Sequence, residues 1–523
     1  MRPTWSWVIL SLLAIVQGSV GFKALFLFPF PAKSHFGSLS PLAEELARRG
    51  HQVTVVTHFP KKNALYKEII MDSTEFHKQF NDNNVNMTEL GTANPLISRA
   101  FLYTMFNKFA ELSVSAKEMQ ELISSKEEFD VIAGEVSFFQ PSLLAFAHRF
   151  QAPFVDLSPA TPFTHVSSFM GNPFSFSYIP DSLLTLSDSM SFLERLENTV
   201  NGLWDLAWFN WYFVPAQDAI IKKHFKYPGV EKIPSVSELI KNISLSLVNS
   251  HFSIGYSRPF SPNMVEIAGM HLKPVQKLPK DLQGFMDAAE NGVVYFSLGS
   301  VVKEEDIGEG RLLAIADALK RLKQRVIVKV GAAAAKYFEG AKNLHILSWA
   351  PQQEILAHPK LLVFITHGGY NSLIEATRAG VPVLGLPVFG DQPRNIRFYE
   401  TRGIGKGLDL GFTADQFYDS IMHIITTPSY RENAKEISRR TQDRPMSPLD
   451  TAVFWVEYVV RHKGAHHLKP VSANLPLYQY ALLDIIVVSL LAVFLVYKLI
   501  CKLYRLLCGT KKTKKEGVIK KTN

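Results

Sequence analysis

Cysteine is almost missing from this chain: of 523 residues only Cys501 and Cys508 carry a thiol, and both lie near the C-terminus. Most of the polypeptide therefore forms no disulfide, whatever compartment it folds in. Short-period repeats and long low-complexity tracts are absent too, which sets aside repeat architectures. No Walker-type GxxxxGK[ST] loop occurs, so that route to phosphate binding is closed. The body of the chain also lacks a charge of one sign. The formal net charge is +9, but nine Lys or Arg and a single acid, Glu516, lie from Lys498 onward, so the remainder is nearly neutral. A nucleic-acid partner loses its main support.

What is present is 47% hydrophobic residues in a length sufficient for two or three domains with sizeable cores. Both ends read as targeting signals. Residues 1–21, MRPTWSWVILSLLAIVQGSVG, combine a basic start, an apolar stretch and small residues, the pattern of a cleavable signal peptide. Residues 479–500 are mostly apolar and long enough to cross a bilayer once. The Lys- and Arg-rich tail 501–523 sets the C-terminus in the cytosol by the positive-inside rule. Asp484, costly inside a bilayer, belongs at the lumenal interface. Lys520 and Lys521 stand where a dilysine retrieval signal of the endoplasmic reticulum would. The expectation is a single-pass type I protein of that membrane, with Asn86 (NMT) and Asn242 (NIS) as glycosylation sequons on the lumenal side.

Along the body, FKALFLFPF is of strand length. SPLAEELARRG reads as a helix capped by Ser40, with Pro41 in its first turn and Gly50 as its stop, and HQVTVVT as the next strand. Together they begin a doubly wound parallel sheet, which FDVIAGE and APFVDLS continue. This α/β domain is expected over 22–257, a proline-rich linker over 258–284, and a second α/β domain over 285–445. A helical segment, 446–478, leads to the membrane anchor. Two such domains facing across a cleft offer a ligand site between them. The aromatic run LWDLAWFNWYFV, 203–214, suits a membrane interface, an acceptor pocket or plain core packing.

One stretch, FITHGGYNSLIEATRAGVPVLGLPVFGDQ (364–392), carries polar groups that no core segment needs. If VFIT is a strand and the residues after the glycines a helix, His367 sits at the strand's C-terminal edge. Gly368 and Gly369 then open the helix, whose free N–H groups and dipole face any anion placed there. Asn371 and Glu375 share one helical face. Asp391 and Gln392 follow the next strand at the same edge, where an acid and an amide can bind several hydroxyls. Upstream, WAPQQ supplies Trp349, a flat ring for stacking a base, and the Gln352 amide.

Tryptophan, PQ, THGGYN, the glutamate and the P-x-x-GDQ ending, in this order and spacing, resemble the donor signature of the UDP-glycosyltransferases. The resemblance extends over nearly the whole chain and is closest to insect membrane-bound members. It implies two Rossmann-like domains facing across a cleft (the GT-B arrangement) with a C-terminal transmembrane helix. It also implies that Trp349 and Gln352 hold uracil and Glu375 the ribose. His367, Gly368, Gly369, Asn371 and the Gly299–Ser300 loop would hold the diphosphate, and Asp391 and Gln392 the sugar. His35, expected in the loop after the first strand, takes the place of the family's base. The partner acid, commonly an aspartate, is Glu135 in FDVIAGE, so the pair carries an extra methylene; Asp130 reads as structural.

The implied reaction is one in-line displacement that inverts the anomeric carbon. No DxD pair is arranged to bridge a metal and a diphosphate, so neither metal nor cofactor beyond the UDP-sugar co-substrate is expected. Glucuronosyl members carry an arginine where LVNSHF has Asn249, which favours UDP-glucose. The acceptor is expected to be a small lipophilic hydroxyl compound. Its identity is unreadable, because 61–114 and 158–214, taken as loops, hold no polar code. UDP-glucuronate as donor, a membrane lipid as acceptor, a non-catalytic UDP-sugar-binding partner and a homo-oligomer stay open.

Overall fold

The computed structural model describes residues 21–82, 89, 91, 93–299 and 307–509. The expected signal peptide up to residue 20, Asn86, Ser300 and the tail from residue 510, with Lys520 and Lys521, lie outside them. The described residues up to Pro470 form one compact unit and those from Val471 another.

The first unit is built on two sheets, both wholly parallel. Seven strands make the first: β1 (Lys23–Phe28), β2 (Gln52–Thr57), β3 (Lys67–Ile70), β4 (Val131–Gly134), β5 (Phe154–Ser158), β6 (Leu245–Val248) and β7 (Met264–Glu266), in the order β3-β2-β1-β4-β5-β6-β7. Six make the second: β8 (Val293–Ser297), β9 (Arg325–Lys329), β10 (Leu344–Leu347), β11 (Leu361–Thr366), β12 (Val383–Gly385) and β13 (Gly405–Gly407), in the order β10-β9-β8-β11-β12-β13. Parallel strands covered on both faces need continuous apolar runs, and β1, β4, β5 and β8 are buried at nearly every position. Strand order reverses between β1 and β4 and between β8 and β11, and these are the points where a crevice opens at the C-terminal edge. Register sets what meets there. Leu27 pairs with Gly134, so Glu135 leaves the sheet beside the chain leading to His35. Ser297 pairs with Thr366, which brings out Gly299 and His367 together.

Several expectations need correction. The first helix starts at Lys33, not at Ser40, and runs to Arg48. Pro41 thus lies inside it and removes one donor from the ladder. The early turn is held by the Ala32 carbonyl, which accepts from the His35 and Phe36 N–H groups (both 3.1 Å), and it buries Phe36 and Leu39. His35 is therefore a first-turn helical residue, not a loop residue. Gly50 does end the helix: it is left-handed (φ +93°) and its N–H bonds the Ala47 carbonyl at 3.1 Å. The segment expected as a linker contains β7, so the first sheet reaches past residue 257. The stretches taken as acceptor loops contain the helices Pro95–Ser115 and Phe192–Trp208.

The aromatic run splits by facing. Phe209 and Phe213, in a π-helical turn, are core residues, whereas Trp211 is 82% exposed. After the second sheet, helix Pro448–Arg461 returns to the first. Its Ala452, Val453, Val456 and Val459, at helical spacing, bury against the side chains of Leu39, Leu42 and Leu46. The three valines contribute on the order of 5 kcal/mol. In the second unit, the apolar helix spans Leu483–Cys508 rather than 479–500, so both cysteines ride on its last turns and not beyond it. Its 26 residues are long and apolar enough to cross a membrane once.

Candidate active site

His367 follows β11 directly, and two glycines shape its berth. A Cβ on Gly299 would lie 2.5 Å from the imidazole Cε1, and one on Gly369 would lie 2.4 Å from Nε2. Gly299 also holds a left-handed backbone (φ +76°). Only glycine at both places leaves room for the ring. Helix Tyr370–Ala379 starts one residue later with Gly369 as its cap, as the sequence pattern predicts. The first N–H groups of such a helix have no acceptor within it, so they are suited to an anion at this edge. Lys329, at the end of β9, donates to the Gly299 carbonyl at 2.5 Å and brings a positive charge to this corner. Burial, with that ammonium nearby, pushes the His367 imidazole down to about 4. At neutral pH His367 is therefore an uncharged hydrogen-bonding group.

The next turn of the helix carries Glu375. Gln352 Nε2 donates to one of its oxygens at 2.6 Å, Gln353 Nε2 to the other at 3.3 Å, and His271 approaches to 3.4 Å. The Tyr295 hydroxyl donates to Gln352 Oε1 at 3.1 Å. Gln352 and Glu375 thus meet, while Trp349 stands 69% exposed on the turn before them. Asp391 and Gln392 open helix Gln392–Thr401. The Gln392 carbonyl oxygen accepts the Val388 and Phe389 N–H groups (2.9 and 3.2 Å), so only its NH2 remains for a ligand. Asn395 fixes Asp391 by a 2.8 Å bond and reaches the Gly368 carbonyl at 3.2 Å.

Across the crevice, His35 Nδ1 lies 2.8 Å from Glu135 Oε2. Glu135 is fully buried, and its other oxygen has no hydrogen-bond partner among the described residues. The longer acid therefore reaches the imidazole, which the sequence could not establish. Asp130 is structural, accepting the Lys23 N–H at 2.7 Å. Phe138 meets the His35 ring edge-on at 4.3 Å, and Phe30 lies 5.7 Å away. The two lobes touch beside this pair. Asn371 Nδ2 donates to the Ser34 carbonyl at 3.0 Å, and Asn249 Nδ2 donates to Asn371 Oδ1 at 3.0 Å. A buried acid–imidazole pair facing a helix N-terminus suits proton removal on one side and stabilisation of a leaving anion on the other.

Residues 25–517 match the family model described as UDP-glucoronosyl and UDP-glucosyl transferase. The chain belongs to this family. Among its relatives, UDP-glucosyltransferase 2 of Dactylopius coccus is 36% identical over 521 residues, covering 95% of this chain and 96% of the relative. Human UDP-glucuronosyltransferase 2B7 is 32% identical over 496 residues, covering 90% of each. In structure, the spinosyn forosaminyltransferase SpnP superposes with a TM-score of 0.57 at 18% identity, over 84% of this chain and 99% of that one. The fold of this UDP-glycosyltransferase is accordingly GT-B.

The UDP-glycosyltransferase site contains groups that the sequence reading passed over. Lys329 stood out only as a lysine in an apolar strand, RVIVKV; its meaning depends on which strand lies beside it. Asn395 and Tyr295 carried no signal at all. Asp156, in the middle of β5, is fully buried behind Glu135, and accepts the Ser137 N–H (2.8 Å) and the Ser246 hydroxyl (2.6 Å). Burial raises it from 3.8 to about 6, with Glu135 adding a smaller push. The folded state then holds a proton that the unfolded state gives up between about pH 4 and pH 6. Stability from this group is present below pH 4 and lost as pH rises through 6, by up to about 3 kcal/mol. Asp156→Asn should remove that loss, so melting curves of the two proteins should diverge between pH 4 and 7 in favour of the variant. Parallel curves would show that Asp156 is ionised throughout.

Proposed function

We propose that the enzyme transfers glucose from UDP-glucose to a hydroxyl of a small lipophilic acceptor, with inversion at the anomeric carbon. The observation that carries this reading is the 2.8 Å contact between His35 and Glu135 beside a lobe junction made by Asn371. Glu135 orients Nδ1, leaving Nε2 to take the acceptor proton as the oxygen attacks C1. The new C1–O bond forms as the C1–O bond to the diphosphate breaks, and the electron pair leaves with UDP. Asp391 and the Gln392 NH2 hold the sugar, Trp349 and Gln352 the uracil, and Glu375 the ribose. The phosphates lie against Gly299, Gly368, Gly369, Asn371 and neutral His367, with the Lys329 ammonium close by. Attack from the acceptor face turns an α-linked donor into a β-glycoside.

Glucose is favoured over glucuronate by Asn249. It is 2% exposed, uncharged and committed to the Pro159 carbonyl and Asn371, so a uronate carboxylate finds no cation there. Phe30 and Phe138 beside His35 favour an aromatic or otherwise apolar acceptor. We place the first unit in the lumen of the endoplasmic reticulum, anchored by Leu483–Cys508. The test is membranes expressing the enzyme, labelled UDP-glucose and UDP-glucuronate in competition, and a mixed panel of lipophilic phenols and membrane lipids. A β-glucoside of a phenol is the expected product. Faster use of UDP-glucuronate, an α-product, or UDP binding without any product would overturn the donor, the inversion or the catalysis respectively.

A further inference from the structure

A small cavity of about 40 Å³ opens between the lobes, and two guanidinium groups line it. Arg258 comes from the segment between β6 and β7, and Arg394 from the first turn of helix Gln392–Thr401. Arg394 is 4% exposed and Arg258 is partly buried. Both bond neutral oxygens. Arg394 donates to the Thr161 hydroxyl and the Pro180 carbonyl (3.5 Å), and Arg258 to the Pro162 carbonyl (3.2 Å). Neither forms an ion pair with a carboxylate among the described residues.

The nearby acids are committed elsewhere. Asp181 borders the cavity, but it is taken up by Arg99, the Leu183 N–H at 3.0 Å and the Thr164 hydroxyl at 3.4 Å. Glu266 accepts the Ser250 hydroxyl at 2.9 Å. Burial and the neighbouring Arg394 push Arg258 down to about 10. Two guanidiniums gathered out of bulk water, with Glu266 acting on Arg258 only from beyond ion-pair contact, favour an added anion. The rest of the wall mixes hydroxyls, such as Ser167, with apolar surface, such as Ile179. A small oxyanion fits this space.

We propose that this cavity is an oxyanion site, separate from the UDP-sugar cradle, in which Arg258 and Arg394 clamp the carboxylate or phosphate group of a small metabolite. Planar guanidiniums suit such groups because each offers paired N–H donors. Arg394 lies three residues after Asp391, so a clamped anion ties the 162–182 segment of the first lobe to the turn carrying Asp391 and Gln392. That coupling, though not the anion binding, rests on the proposed donor site. The anion holds the lobes together while donor is bound.

The test uses the full-length protein in detergent micelles, saturated with UDP so that the cradle is filled. Inorganic phosphate is titrated against chloride at constant ionic strength, and the melting temperature is read. A saturable rise is expected in the wild type and in His35→Ala. Apparent phosphate affinity should fall ~10-fold in Arg258→Met and recover in part in Arg258→Lys. Phosphatidate in the micelles that competes with free phosphate would support the oxyanion chemistry and make a lipid headgroup its source; no competition would support a soluble metabolite. An equal phosphate response in wild type and Arg258→Met would overturn the site. So would loss of the response when UDP-glucuronate replaces UDP, because the cavity would then belong to the donor. A wild type that melts unchanged with UDP would count against the donor reading alone.

Discussion

Replacing His35 with alanine is expected to lower the transfer rate ~10³-fold while UDP affinity stays within about twofold, because general-base catalysis supplies roughly that factor. The split follows from where the residue sits. His35 lies on the acceptor side, with Nδ1 on Glu135, and the backbone of its neighbour Ser34 meets the donor lobe through Asn371. Removing the imidazole takes away the proposed proton acceptor and leaves in place the residues proposed to hold uracil, ribose and phosphate. Glu135→Gln should produce a smaller loss, ~10 to 100-fold, because the ring keeps a hydrogen-bonding neighbour but loses the charge that stabilises its protonated form. Single-turnover rates with UDP-glucose, beside UDP titrations, check both. An alanine variant that turns over near the wild-type rate would remove His35 from the chemistry. Weakened UDP binding in step with the rate would make its role one of lobe packing.

Gly299→Ala is expected to be the most damaging change on the donor side. The new methyl would stand 2.5 Å from the His367 ring, whose space Gly369 also confines. It must also adopt φ +76°, a region that costs an L-residue about 1–2 kcal/mol. Overpacking adds about 1–3 kcal/mol, so a total of roughly 2–5 kcal/mol divides between stability and UDP affinity. Gly308→Ala is the control, since that glycine has a similar φ of +84° but open space around it. It should pay the backbone cost alone and leave UDP binding unchanged. Isothermal titration with UDP and thermal melts of both variants separate the two effects. If they behave alike, His367 moves freely and the cradle is not rigid.

How far the site could be read depended on the range of each interaction. THGGYN and the glutamate four residues after its asparagine announce a strand edge, a glycine opening and one helical face, all within a few residues, and the structure forms them so. Gln392 shows the limit: as an amide beside an acid it reads as a sugar ligand, yet its carbonyl oxygen folds back onto Val388 and Phe389. Pro41 shows another. Proline favours a helix's first turn, but burying Phe36 and Leu39 outweighs one missing hydrogen bond and moves the start to Lys33. That shift turned His35 from a loop residue into a helical one.

The sequence by itself determined the two parallel sheets, the apolar C-terminal helix and the glycine-opened helix, because each follows from periodicity or spacing within short windows, and its ordered motifs carried the family resemblance. Only the tertiary structure decided that Glu135 meets His35 across 100 residues and that Asn371 reaches Ser34 across 337. It alone brought Lys329 to the Gly299 carbonyl and left Arg258 and Arg394 together without an ion-pair partner among the described residues. These are outcomes of strand order and register, which set which chain ends emerge side by side, and a shift of a single strand would have scattered them.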